Sequence, residues 1–335
     1  MKTMSMLTAA LAAVGVVACA GAPARADDVG VESPGQAAFE FALIGDVPYN
    51  VPPNTDSRQF DNLVADINSD PRIEWVLHAG DIKAGSTPCT DRIFDDRLKR
   101  YGAFAVPFVI TPGDNEWTDC HRSGYEPLER LARLRRVFFP EPGLTLGRKP
   151  MAVLTQAAEP GTAEFPENVL WSRNGVVFAT MHMTGSRNGL AAFRGRTAAD
   201  DAEVARRTGA ALAWLDRAFG LAASLDSPGV FLMIHANPGL GIEPGRLDRT
   251  GFGAFLAALE GHVAAYGRPV VLAHGDSHYF RVDKPTLASG RFLANFTRVE
   301  TFGAPQVHWV RVTVDTKTPE VFTIRQQIVE ANIRG

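Results

Sequence analysis

One recurring unit constrains this chain more than any other feature. A short apolar run ends in a turn that delivers an acid or a histidine. Residues 37–44 stop at Gly45-Asp46, residues 73–79 at Gly80-Asp81, and residues 104–110 before Gly113-Asp114. Residues 230–234 lead into His235, and residues 269–273 into His274-Gly275-Asp276. Short apolar runs closed by turn residues read as strands, and runs without polar alternation read as strands buried on both faces. A sixth run, residues 176–181, ends in the polar stretch His182-Met183-Thr184-Gly185-Ser186-Arg187-Asn188.

Helical spacing fills the gaps. Phe60, Leu63, Val64 and Ile67 recur at helical intervals in residues 56–67, as do Leu128, Leu131, Leu134 and Val137 in residues 125–138. Residues 201–221 carry Leu212, Leu215 and Phe219 on one face, and residues 252–266 repeat the pattern. Strands alternating with helices predict an α/β sheet with helices outside. Residues 307–314 and 321–328 read as consecutive strands joined by a polar turn, so a mixed sheet is expected there. Residues 140–166, rich in Pro and Gly, read as a long loop or insertion. No repeat and no linker divides the chain, so residues 37–330 are expected to form one domain.

The first 26 residues read as a signal peptide. Lys2 supplies a positive start, residues 7–18 are apolar, and Ala24-Arg25-Ala26 offers small residues for cleavage. The apolar run is too short for a comfortable membrane span, so no transmembrane segment is expected. The expected location is secreted or periplasmic. The alternative is a lipoprotein anchored at Cys19, which follows Val16-Val17-Ala18. Export leaves Cys89 and Cys120, which read as one disulfide in an oxidising compartment; two unrelated buried thiols are the alternative. A net charge of -3 indicates neither nucleic acid nor an anionic membrane as partner.

Ligands of open α/β sheets bind beyond the carboxyl ends of strands. Carboxylates gathered there repel one another unless cations sit between them. The ordered set Gly45-Asp46-Val47-Pro48-Tyr49, Gly80-Asp81, Gly113-Asp114-Asn115-Glu116, His235 and Gly275-Asp276-Ser277-His278 resembles the calcineurin-like metallophosphoesterase superfamily, which includes the purple acid phosphatases. That family's pattern is Asp-x-His, Gly-Asp, Gly-Asn-His-Asp/Glu, a lone His, then Gly-His-x-His. The resemblance spans residues 39–325 and implies a two-sheet β-sandwich flanked by helices, in four α/β/β/α layers. It further implies that Asp46, Asp81 and His278 hold one metal. Asp81, Asp114, His235 and Asp276 would hold the other, with Asp81 bridging and Tyr49 filling the position that lacks its ligand in the first site.

The chain departs from that pattern in four places. Pro48 stands where the family has a ligand His, Asp114 replaces a ligand Asn, Asn115 replaces the His that assists catalysis, and Asp276 replaces another ligand His. The site becomes oxygen-rich, which favours Mn, Mg or Ca over Zn or Fe, with two divalent ions expected. Four Asp would also neutralise two such ions, leaving no surplus charge to attract phosphate.

The function this implies is a secreted, metal-dependent phosphoric ester hydrolase acting on a small phosphomonoester or phosphodiester through a metal-activated hydroxide. The alternative is a non-catalytic metal- or ligand-binding protein on the same fold. His121 is the candidate general acid, against an exposed loop His. Asn115 is a candidate for catalysis and for substrate contact. Arg187 offers a planar fork to phosphate, with Lys83 and Arg122 as weaker candidates. His274 would replace Asp276 as ligand if the loop were shifted by one residue; His78, His262 and His308 read as structural.

Overall fold

The computed structural model describes residues 38–49, 55–242 and 250–333. The expected signal peptide and Cys19 lie outside the described residues.

Among the described residues, thirteen strands form two sheets. The chain begins in the first sheet with β1 (Phe39–Ile44), β2 (Ile73–His78), β3 (Pro107–Ile110) and the short β4 (Leu146–Gly147). It crosses to the second with β5 (Leu154–Thr155), β6 (Val169–Arg173), β7 (Val176–Thr180), β8 (Val230–Met233), β9 (Val270–His274), β10 (Arg281–Asp283) and β11 (Phe296–Glu300). It then returns with β12 (Trp309–Val314) and β13 (Phe322–Gln327). The first sheet runs β13-β12-β1-β2-β3-β4 and the second β10-β11-β9-β8-β7-β6-β5. β1, β2 and β3 are parallel, as are β7, β8, β9 and β11. Antiparallel strands complete both edges.

Burial explains the layers. Alternate side chains of a strand face opposite ways. From β1, Phe39, Phe41 and Leu43 point to one side and meet Trp75, Phe178, Phe231 and Val271 in a core between the sheets. Ala42 and Ile44 point to the other, where helices Thr55–Ser69, Asp91–Tyr101 and Pro127–Phe138 cover the first sheet. Helices Ala198–Ser224 and Gly253–Tyr266 cover the second. The molecule is therefore an α/β/β/α sandwich.

Residues 140–166 are not the expected long loop. They supply an edge strand to each sheet, β4 pairing with β3 and β5 with β6, so this Pro- and Gly-rich stretch is the crossing between the sheets. Cys89 and Cys120 form a disulfide, with Cα atoms 5.7 Å apart. Among the described residues no helix is long and apolar enough to cross a membrane.

Candidate metal centre

Parallel strands of both sheets end at one place, and their turns deliver the acids. Asp46, Asp81 and Asp276 have φ of 55°, 58° and 78°, in the left-handed region that Asp tolerates better than bulkier residues. The turns are packed so closely that two neighbours must lack a side chain. A Cβ at Gly113 would stand 2.2 Å from Asp81 Oδ1, and one at Gly275 would stand 2.4 Å from Asp46 Oδ2.

His235 occupies the centre. Its Nδ1 donates to the Ala79 carbonyl at 2.6 Å, which fixes the ring and aims Nε2 at the acids. Nε2 lies 3.2 Å from Asp114 Oδ1, 3.4 Å from Asp81 Oδ1 and 3.9 Å from Asp276 Oδ1. Among the described residues, two groups have ligand atoms within 4.8 Å of one another: Asp46, Asp81 and His235, and Asp114, His235 and Asp276. His235 belongs to both groups, but with Nδ1 engaged its Nε2 can serve one cation at a time, and Asp81, the expected bridging residue, lies 3.4 Å from it.

His278 sits at the side of the first group. Its Nδ1 donates to the Ala304 carbonyl at 2.7 Å, and its Nε2 lies 2.6 Å from the Tyr49 hydroxyl and 3.5 Å from Asp46 Oδ1. The same hydroxyl lies 3.0 Å from Asp81 Oδ2 and 3.4 Å from Asp46 Oδ1, so one phenolic proton faces three acceptors. Asn115 donates from its backbone to Asp81 Oδ1 at 3.0 Å, and its side-chain amide reaches Asp81 Oδ2. Glu116 is a staple: its carboxylate accepts from Gly113 at 2.6 Å and from Ile82 at 3.3 Å, joining two of the acid-bearing turns. The Asp276 and His278 side chains are 30% and 28% exposed, so the cluster opens to solvent on that side.

The charges fit a cation site. Burial pushes the Asp46, Asp81 and Asp276 carboxyls up, and the neighbouring carboxylates add to that shift. Burial alone would drive the proton off His235, but Asp81, Asp114, Asp276 and Asp46 together raise it well above the ordinary value. Asp114 goes the other way. Burial raises it, yet the His235 hydrogen bond and charge and the Ser186 hydroxyl outweigh burial and hold it below the usual carboxylate range. Burial, followed by the charge of Asp81, also raises the Tyr49 phenol. The cluster holds on to protons because they relieve the repulsion among its acids, and divalent cations would relieve the same repulsion. Oxygen donors with one imidazole fit such cations.

Other expected residues lie further out. His121 Nδ1 donates to the Thr118 carbonyl at 2.8 Å, and its ring stacks on Phe193 at 4.4 Å, so its contacts are not with the acids. Lys83 is buried and donates to the Ala84 carbonyl at 3.1 Å, and Arg122 pairs with Asp119 at 2.7 Å. Arg187 is exposed. His274 is buried with Nδ1 toward the Gly275 carbonyl, outside both groups. His78 is a satisfied core residue, with Nε2 at 2.7 Å from the Val47 carbonyl and Nδ1 accepting from Gly80. His262 pairs with Asp216 at 2.6 Å away from the acids, and His308 precedes β12.

Two contributors have no signature in the sequence. Ser186 Oγ lies 2.9 Å from Asp114 Oδ2 and 2.7 Å from Asp119 Oδ1. Asp119, buried beside Asp114, is pushed up to about 7 by burial and by the Asp114 charge. Ser186 belongs to an unusual turn in which Ser186, Arg187 and Asn188 have φ of 50°, 59° and 57°. Each such non-glycine residue costs roughly 1–2 kcal/mol, so its surroundings must hold the turn.

Neither protein-family models nor curated proteins give a match to this chain. Among solved structures it is similar to TT1561 of Thermus thermophilus, at 10% identity and a TM-score of 0.45, covering 88% of this chain and 100% of that one.

Proposed function

We propose that this chain is an exported metal-dependent phosphoesterase acting on a small phosphomonoester or phosphodiester. The observation that carries the reading is the convergence of Asp46, Asp81, Asp114, His235 and Asp276, from turns in chain order, on two groups with ligand atoms within 4.8 Å. The site residues would hold two divalent cations, Asp46 and Asp81 around one and Asp114, His235 and Asp276 around the other; the single lone pair of His235 Nε2 serves one cation, so a shared ligand would be the Asp81 carboxylate. His278 and Tyr49 complete the first group. Such cations supply Lewis acidity toward phosphoryl oxygen and water.

The remaining work falls to the chain. Asn115 keeps Asp81 oriented through two hydrogen bonds and offers its amide to a substrate oxygen. Arg187, exposed beside the Ser186 contact with Asp114, is the candidate phosphate fork. His121, whose Nδ1 donates to the Thr118 carbonyl, would protonate a leaving group from Nε2 only with both ring nitrogens carrying protons.

The balance of charge favours a second reading, a metal- or ligand-binding protein without turnover. Four Asp against two divalent ions leave no net attraction for phosphate. The deciding measurement is a screen of generic phosphomonoesters and phosphodiesters with Mn, Mg, Ca or Zn supplied separately, alongside calorimetric metal binding. The enzyme reading expects turnover with Mn, Mg or Ca that Asp81→Ala abolishes. Binding without turnover supports the second reading, and turnover unchanged in Asp81→Ala ends the metal-site assignment altogether.

A further inference from the structure

Arg207 lies in the middle of the Ala198–Ser224 helix and is completely buried. A buried guanidinium needs partners for five N–H groups. Nε donates to Glu203 Oε1 at 2.8 Å, and one terminal nitrogen donates to Glu203 Oε2 at 3.2 Å and to the Asn188 carbonyl at 2.9 Å. The other donates to the His182 carbonyl at 3.2 Å and to Asn188 Oδ1. Every donor is used, and four of the five contacts are split between one carboxylate and one residue, Asn188. The guanidinium also lies over the Trp117 ring, 5.3 Å from its centroid.

These partners flank Asp114 from both sides. Asn188 closes the left-handed turn whose Ser186 hydroxyl contacts Asp114 and whose Gly185 backbone packs on the same carboxylate; a Cβ there would lie 2.7 Å from Asp114 Cγ. Trp117 donates its backbone N–H to the Asp114 carbonyl at 3.3 Å. Asp46 and Asp81 are fixed differently, by Asp276, Tyr49 and Asn115.

We propose that Arg207 is a positioning residue that sets Asp114, and through it one half of the cluster only. It holds the strained turn at Asn188 and the Trp117 loop against each other, and Asp114 takes its place between them. The Asp114, His235 and Asp276 side depends on this grip, whereas the side formed by Asp46 and Asp81 with Tyr49 and His278 does not. The inference rests on the metal-site reading above.

The test is a calorimetric Mn titration of the intact chain, wild type against Arg207→Met and Asn188→Gly. Asn188→Gly removes the carboxamide that Arg207 grips while leaving a residue at home at φ 57°. Wild type is expected to bind two Mn. Both variants are expected to lose about 10- to 100-fold at one site, the range found when an outer partner of a metal ligand is removed. The other site, identified as the one lost in Asp46→Asn, should keep its affinity. If Arg207→Met fails to fold, Asn188→Gly decides alone. Two unchanged sites in a folded variant, or equal weakening of both, overturn the role of Arg207 and leave the metal site standing. No Mn binding by wild type overturns the metal site, and this inference with it.

Discussion

The four core and site histidines His78, His182, His235 and His274 are all fully buried, yet their protons behave in opposite ways. Burial pushes His78 and His182 down to about 4 and His274 to about 3, so these rings are neutral. His235 suffers the same burial, but four Asp face it and raise it instead. A ligand imidazole must give up its Nε2 proton to a metal, so binding at this cluster releases protons. The sign follows directly: a pKa raised well above the ordinary 6.5 favours the protonated ring, and metal affinity weakens as pH falls. Mn titrations at pH 7 in two buffers of different ionisation enthalpy should report at least about one proton released per protein. A heat of binding identical in both buffers, after correction for dilution, would show that no proton leaves on binding and that the cluster does not hold His235 protonated. The acids and His235 are legible in the sequence because an acid or histidine placed directly after an apolar run has a local signature. Ser186, Asp119 and Arg207 are not, because their roles depend on contacts such as that between Ser186 and Asp114, which are 72 residues apart.

Elements whose apolar residues sit in unbroken runs or on one clean face are legible, including the parallel strands β1, β2, β8 and β9. The helix Asp91–Tyr101 is not, although Ile93, Phe94, Arg97 and Tyr101 form its buried face. Its third inward position is an arginine, which donates to the Ile82 carbonyl at 2.6 Å and so looks polar in a pattern built on apolarity. Strand β6 is hidden for another reason: the Asn174-Gly175 turn joins it so tightly to β7 that the apolar pattern marks only the second of the two strands. Glycine shows the same dependence on context. At Gly113 a methyl would meet Asp81 Oδ1 at 2.2 Å and the Asp81 backbone nitrogen at 2.4 Å, and backbone cannot swing aside. Gly209 is an exposed position inside the Ala198–Ser224 helix with nothing within 4 Å. Gly113→Ala should therefore lower the unfolding free energy by about 2 kcal/mol or more and abolish high-affinity metal binding. Gly209→Ala should raise it by roughly 0.5–1 kcal/mol, because alanine is the better helix former. Chemical denaturation of both variants checks the pair, and a stable, metal-binding Gly113→Ala would contradict the packed turn.

At the scale of the molecule, the chain visits the first sheet, builds the second, and comes back. The strand-end motifs do not announce the return, since every candidate ligand precedes residue 279. Yet β12 lies between β1 and β13, in register from Phe39↔Val314 to Leu43↔Val310. It brings Trp309, Val310, Val312 and Val314 into the cores on both faces of the first sheet, and β13 adds Phe322 against Phe231 of the second. Each such side chain stabilises by roughly 1.5–3 kcal/mol when fully buried. A domain's whole stability is only about 5–15 kcal/mol, so the loss of the pair of strands is of the same order as all of it. Ala304, at the head of the return, accepts from His278 Nδ1 at 2.7 Å and donates to the Asp46 carbonyl at 3.1 Å, so it ties the return to the acids. A chain ending at Gly303 keeps all the candidate ligands but loses this strand pair and leaves β1 as an unpaired, apolar edge, which is an aggregation hazard. It is expected to collect in the insoluble fraction, and after refolding to lack both a cooperative thermal transition and Mn binding. Size-exclusion chromatography, thermal melting followed by circular dichroism, and the same Mn titration read the three properties. A soluble, cooperatively melting chain that still binds Mn would mean that the acid-bearing turns are held by the strands before residue 303 alone, and that the return serves only to cover them.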